Sequence, residues 1–272
     1  ADEGTISKNE RKVAAKKKID KTIENRGKAV NQTPKISVLM GIYNEKRKNA
    51  KAAIDSVLKQ TFTDFEFLIC DDGSDPAFYE WLKKYCKKDK RIRLIRQREN
   101  KGLAAALNRC FAYASGNLIA RMDADDICVR TRFEKQEAFL RKHSEYAMAG
   151  CNVYLVAGSK VWGERRMEEV PQESSFLKTS AFVHPAVMIR REVMKTLSGY
   201  REQKRFLRVE DYDFFMRMYA AGYRGYNLQE PLLFYREEAV AKQTYRCRVN
   251  ECLVRLHGFW NMGILRGNLR YV

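Results

Sequence analysis

The sequence predicts an α/β fold: a mostly parallel central sheet with helices packed on both faces. Three observations carry the prediction. Apolar, β-branched runs of strand length recur between residues 36 and 122, and each is followed by a stretch with helical spacing. Apolar residues make up 45% of the chain and aromatics 11%, enough to bury a core on each side of a sheet. Strand and helix alternating at this interval need crossover connections, and these make neighbouring strands parallel.

Taken in order, residues 1–33 read as a basic appendage. They carry nine Lys or Arg, Lys16-Lys17-Lys18 among them, against five Asp or Glu and very few large apolar side chains. The segment is either a solvated, partly helical leader or an arm that binds lipid or a partner. Pro34 punctuates the chain, and residues 36–42 form the first predicted strand, followed by a helix over 47–60. Strands at 65–70, 92–95 and 118–122 follow, each leading into a helix: around 79–85, an Ala-rich one over 102–114, and 130–141. After residue 150 the rhythm changes to short strand-like pieces at 152–156, 186–189 and 232–235, with helices near 192–197 and 211–221. Residues 34–150 and 151–238 are expected to be two halves of one domain. The last segment, 239–272, reads as helix; residues 240–272 carry six basic residues against one acidic, with apolar side chains interspersed. That pattern fits a terminal helix packed on the core or a basic amphipathic helix lying on a membrane. There is no internal repeat.

The formal charge is +18, from 52 Lys plus Arg against 34 Asp plus Glu. Such a surface attracts nucleic acid, anionic lipid or phosphorylated substrates, and charge alone does not choose among them. No stretch approaches the roughly 18 apolar residues of a membrane span, and no signal-peptide core is present. The expectation is a cytoplasmic protein, with peripheral contact at the inner face of the membrane. The seven cysteines are scattered without a second close pair to complete a zinc site, consistent with reduced thiols.

Ligands of open parallel sheets bind beyond the carboxyl ends of the strands. Those ends here are Gly41-Ile42-Tyr43-Asn44-Glu45, Asp71-Asp72-Gly73-Ser74, Glu99-Asn100-Lys101-Gly102 and Asp123-Ala124-Asp125-Asp126. Each offers a carboxylate. Clustered acids are costly to desolvate unless a cation or hydrogen-bond donors compensate, and Mg²⁺ or Mn²⁺ favours oxygen ligands of this kind. The bland alternative is an Asp-rich turn capping the next helix. Asp71-Asp72-Gly73-Ser74 likewise suits a turn and N-cap, or a contact to a nucleobase or ribose.

Residues 34–126 resemble the nucleotide-sugar half of glycosyltransferase family 2, and weaker similarity continues to about residue 236. The resemblance rests on residues 36–45, 56–62 and 65–74, on Asn100-Lys101-Gly102-Leu103 with Asn108, and on the Asp-Ala-Asp-Asp run. It implies a GT-A fold, whose central sheet is Rossmann-like, with terminal helical extensions here. It also implies that Tyr43 lines the uracil, Asp72 bonds the base, and Gly41 and Glu45 line the nucleotide pocket, with Lys101 near the base or diphosphate. Asp123 would lie by the ribose and diphosphate, and Asp125 would be the principal ligand of Mn²⁺ or Mg²⁺, with Asp123 beside it. Glu210-Asp211 resembles the family's acceptor-side motif, where Asp211 would be the general base; charge complementing a helix N-terminus is the alternative. His184 and Trp162 are expected on the acceptor side, each with a plain core role as the competing reading.

The resemblance thus implies an inverting transfer from a nucleotide-sugar donor, UDP-linked foremost, to a glycan or lipid-linked glycan acceptor in bacterial cell-surface polysaccharide assembly. The Gln-x-x-Arg-Trp motif of processive synthases is missing, which argues for single transfers. A metal-dependent phosphoryl-transfer enzyme or nuclease is the alternative, though nucleic acid is not the expected partner. A nucleotide-binding scaffold without turnover is a third.

Overall fold

The computed structural model describes residues 33–237 and 245–272. The basic appendage before Thr33 and the predicted helical start at 239–244 lie outside the described residues. Strands β1 (Ile36–Ile42), β2 (Phe65–Asp71), β3 (Ile92–Arg96) and β4 (Leu118–Arg121) alternate with helices α1 (Arg47–Leu58), α2 (Pro76–Cys86) and α3 (Leu103–Phe111). Next come β5 (Ile127–Cys128), α4 (Arg132–Lys142), β6 (Met148–Ala157), β7 (Lys160–Arg165), β8 (Met188–Arg190) and α5 (Arg191–Thr196). Helix α6 (Glu210–Ala220), β9 (Gly225–Arg236) and α7 (Tyr245–Asn261) complete the chain.

The strands form one nine-stranded sheet in the order β3-β2-β1-β4-β8-β6-β9-β5, with β7 paired to β6. Strands β1 to β4 are mutually parallel; β8 runs against β4, β6 against β8, and β9 parallel to β6. Six strands therefore point one way, and β5, β7 and β8 oppose them. The mostly parallel α/β prediction holds.

Alternation along β1 shows why helices cover both faces. Val38, Met40 and Ile42 pack with Ile54 and Val57 of α1 and Phe78 and Leu82 of α2, whereas Leu39 joins Leu107 of α3, Phe214 of α6 and Phe259 of α7 on the other side. Period-two side-chain placement thus feeds two apolar layers from one strand. Register then sets the rim: Ile42 lies opposite Asp71, Asp71 opposite Arg96, and Leu39 opposite Arg121. The acid-bearing turns after β1, β2 and β4 leave the sheet at the same end. Strand β5 was not foreseen because two residues carry no periodicity, and β7 reads Lys-Val-Trp-Gly-Glu-Arg, largely exposed and polar.

Candidate active site

Three turns are fastened together before any ligand is considered. The Asp72 carboxylate accepts from Gln97 Nε2 and from the backbone N–H groups of Lys101 and Gly102, each at 2.8 Å. Ser74 Oγ accepts from the Asn44 N–H at 2.9 Å, and Asn44 Oδ1 from the Asp75 N–H at 3.0 Å. The N-cap of α2 is Asp75, which accepts from the Phe78 N–H; the predicted turn-and-cap role of Asp71 to Ser74 passes one residue on. Gly73 sits at φ +78°, and a Cβ there would lie 2.5 Å from the carbonyl carbon of Glu99, so glycine alone fits.

Other residues of the expected nucleotide pocket have mixed surroundings. Tyr43 is 50% exposed at the rim. Glu45 accepts from the Lys46 N–H and from Asn49 Nδ2, both at 2.9 Å, and its charge reaches Asp125. Lys101 is exposed, its Nζ 3.6 Å from Glu99. Gly41 faces α3, where a Cβ would lie 3.0 Å from Leu103 Cδ1 and 3.1 Å from Ala106 Cβ; its smallness serves helix-on-strand packing. Asp71 is fully buried with no hydrogen bond to its carboxylate and Arg96 Nε 3.6 Å away; burial raises its pKa.

The turn after β4 gathers acids. Asp123, Asp125 and Asp126 each offer a carboxylate oxygen, and these lie within 4.8 Å of one another. Burial, then the charges of Asp123 and Glu45, push Asp125 up to about 6. Burial, then Asp123 and Asp125, hold Asp126 well above the usual carboxylate range. Asp126 Oδ1 accepts from the Arg236 N–H at 2.7 Å, tying the turn to the end of β9, while its buried Oδ2 has no hydrogen-bond partner. Hard oxygen donors, mutual repulsion and an orphaned buried oxygen together fit a divalent cation.

Across the cleft, α6 begins with Glu210 and Asp211. Burial raises the pKa of both, and the positive charge of Arg121 pulls each partly back. Asp213, in the same acidic run, is structural: it binds Arg201 at 3.0 Å and Arg217 at 2.7 Å. Asp123, Glu210, Asp211, His184 and Arg121 line one cleft of about 780 Å³. His184 Nε2 lies 2.9 Å from the Tyr200 hydroxyl, and burial, then Arg121, depress its pKa well below 6.5, so the ring is neutral. Trp162 stands exposed on β7 and is not among the residues lining that cleft.

Sequence reasoning missed Arg121, Arg165, Arg166 and Arg208, and gave Asp126 no role of its own within the Asp run. Arg121 is buried, 2.5 Å from Asp123 in an ion pair, with its Nε free of hydrogen bonds. Its charge also reaches Asp211, Glu210 and His184, so one guanidinium offsets acids from both halves of the cleft. At the end of an apolar strand it read only as a strand residue. Arg165, Arg166 and Arg208 line the same cleft from polar segments that gave no motif.

The sequence profile of Glycosyl transferase family 2 matches residues 37–198. EpsE of Bacillus subtilis (strain 168), a protein that bears a glycosyltransferase name, is 41% identical over 213 residues, covering 78% of this chain and 76% of its own. This chain belongs to glycosyltransferase family 2. Membership places the strand-end acids in a glycosyltransferase rather than a nuclease. The family 2 chain is also 35% identical over 130 residues to the Escherichia coli UDP-Glc:alpha-D-GlcNAc-diphosphoundecaprenol beta-1,3-glucosyltransferase WfgD, covering 47% of this chain and 49% of that one. Among solved structures, Staphylococcus aureus TarS 1-349 in complex with UDP-GlcNAc aligns with TM-score 0.68 at 19% identity, over 85% of this chain and 71% of that one. Mannosyltransferase PcManGT from Pyrobaculum calidifontis, in complex with GDP-Man and Mn²⁺, gives TM-score 0.64 at 19% identity, over 88% and 70%. At those identities the structural likeness establishes the GT-A fold alone.

Proposed function

We propose that this family 2 enzyme is an inverting glycosyltransferase moving a sugar from a UDP-linked donor to an acceptor hydroxyl in cell-surface polysaccharide assembly. The observation carrying the reading is that Asp123 and Asp211 open onto one cleft with Arg121 acting on both. In this reading Tyr43 stacks on the uracil from the rim, Glu45 and Lys101 flank the nucleotide, and Gly41 borders the pocket through its backbone alone, its Cα side being turned to α3. Asp72 contacts the base with the acceptor capacity left after its three hydrogen bonds, since a carboxylate offers about four lone-pair sites. Asp125, Asp123 and Asp126 would hold Mn²⁺ or Mg²⁺. When bound, the cation neutralises the diphosphate and stabilises it as a leaving group.

The remaining chemistry belongs to side chains. Asp211 takes the proton of the acceptor hydroxyl as that oxygen attacks the anomeric carbon; the bond from that carbon to the diphosphate oxygen breaks on the opposite side, inverting the configuration. Such a base contributes roughly 10²–10⁴ in rate. Glu210 and neutral His184 border the acceptor side. The acceptor proposed is a glycan on a lipid diphosphate, supported by the diphosphoundecaprenol-linked acceptor in the name of WfgD and by three arginines, Arg165, Arg166 and Arg208, in the cleft wall.

The test is turnover of a panel of nucleotide sugars with Mn²⁺ or Mg²⁺ by wild type, Asp125→Ala and Asp211→Asn. Turnover of a UDP-sugar that requires the cation and collapses by 10² or more in both variants is expected. No turnover of any donor, or turnover indifferent to both substitutions, overturns the proposal.

A further inference from the structure

Helix α7 is apolar on two sides: Val254 and Phe259 are buried in the core, and a second apolar stripe faces outward. Its inward side carries Asn250, Val254 and Gly258, all buried, and Gly258 lets α6 approach so closely that a Cβ would lie 2.3 Å from Met216 Sδ. At 100° per residue, Tyr245, Val249, Leu253, Leu256 and Trp260 fall within an arc of about 80° on the opposite side. These five are between 39% and 84% exposed. The stripe borders a groove of about 730 Å³ shared with Arg205, Phe206 and Leu265. A contiguous exposed apolar face on a helix this well anchored marks a contact surface.

The charge around it selects the occupant. Lys204, Arg205, Arg248, Arg266 and Arg270 are exposed on or beside α7. Of the neighbouring acids, Glu251 is offset by Arg255 at 2.8 Å, which leaves Glu202 as a single negative charge among five exposed cations. We propose that the outward face of α7, with the adjoining Lys204–Phe206 turn, seats the enzyme on an anionic lipid surface. Trp and Tyr favour the headgroup boundary, aliphatic side chains enter the acyl edge, and each nearby Lys or Arg adds attraction to anionic headgroups. A second copy would bring the same cations against themselves and so meet like charge.

The seat is coupled to the cleft through two elements. Helix α6 carries Asp211 at its first turn and Met216 against Gly258. The Lys204–Phe206 turn borders the groove, while Arg208, two residues on, lines the cleft. Lipid contact would therefore hold the cleft mouth close to where a lipid-linked acceptor emerges.

The experiment is flotation of the full chain with phosphatidylcholine vesicles and with vesicles about 30% phosphatidylglycerol, using wild type, Leu253→Ser/Trp260→Ser and Arg205→Glu/Arg266→Glu. Wild type should float with the anionic vesicles and not the neutral ones. Both double variants should bind at least about tenfold more weakly. Their thermal midpoints should stay unchanged, because all four side chains are exposed or border open groove. Donor turnover should also persist, so failure of lipid binding with turnover intact sinks this inference and leaves the transferase reading standing. No flotation with anionic vesicles overturns it, as does flotation unaffected by the Leu253/Trp260 pair. A concentration-dependent dimer that the same pair disperses would reassign the face to self-association.

Discussion

His184 and Asp211 illustrate how burial sets a protonation state, with opposite results. Burial disfavours the charged form of each, which lowers the histidine pKa and raises the aspartate pKa. For His184 the unfolded chain takes up a proton below about pH 6.5 that the folded chain refuses. Stability contributed by the neutral ring is therefore fully present above that pH and is lost as pH falls, by up to about 1.4 kcal/mol per pH unit. Urea midpoints of wild type and His184→Gln between about pH 7 and 5 should diverge, with the variant losing less. For Asp211 the sign reverses: its folded pKa lies above the ordinary value near 4, so the protonated form, inactive in the proposed role of general base, persists to higher pH. kcat/KM, which reports the free enzyme, should fall toward acid with a midpoint above that ordinary value, and Asp211→Asn should abolish the limb together with the rate. A limb near pH 4, or one surviving in Asp211→Asn, would assign the titration to another group.

At the scale of elements, the join between the turns after β1, β2 and β3 is the testable feature. Gly73→Ala meets both a positive φ and the Glu99 backbone. It should cost about 1–3 kcal/mol from the backbone conformation, with the clash adding to it. Asp72→Ala leaves two backbone N–H groups and Gln97 without their charged acceptor and should cost about 1.5–3 kcal/mol. Denaturant midpoints check both. Nucleoside-diphosphate affinity should fall with them, because the 99–102 loop loses its fastening.

Most of this architecture could be read from the chain. β1, β2 and the helices after them follow from strict patterning and turn residues; the acids of 71–72 and 123–126 stand at strand ends and Glu210-Asp211 opens a helix, as the patterning implied. Three kinds of feature could not be read. β7 is largely exposed, and the first half of β9 buries Gly225 and the polar Asn227 instead of apolar side chains, so neither carries an apolar strand pattern. Arg121 became visible only when the sheet brought residue 123 and residue 211 to one cleft. Trp162 failed for the converse reason: a large aromatic invites a binding role, but on β7 its ring points to solvent rather than lining the cleft.

For the molecule as a whole, α7 against α6 is the decisive junction. Gly258→Val forces a branched side chain into Met216, which should cost about 1–3 kcal/mol and lower Tm by several degrees. The loss should appear in calorimetry before any change in nucleotide binding, because the donor turns belong to other elements. Among the described residues no helix is long and apolar enough to cross a membrane. The stitched turns carry a consequence of their own. With Asp72, Ser74 and Asn44 already spanning the gaps, the ledge proposed to carry the nucleotide is tied together beforehand, and its ordering entropy has been spent during folding. Donor capture should resemble a key entering a finished lock, with association rates set by diffusion and charge. Lengthening any one of these turns should loosen the other two.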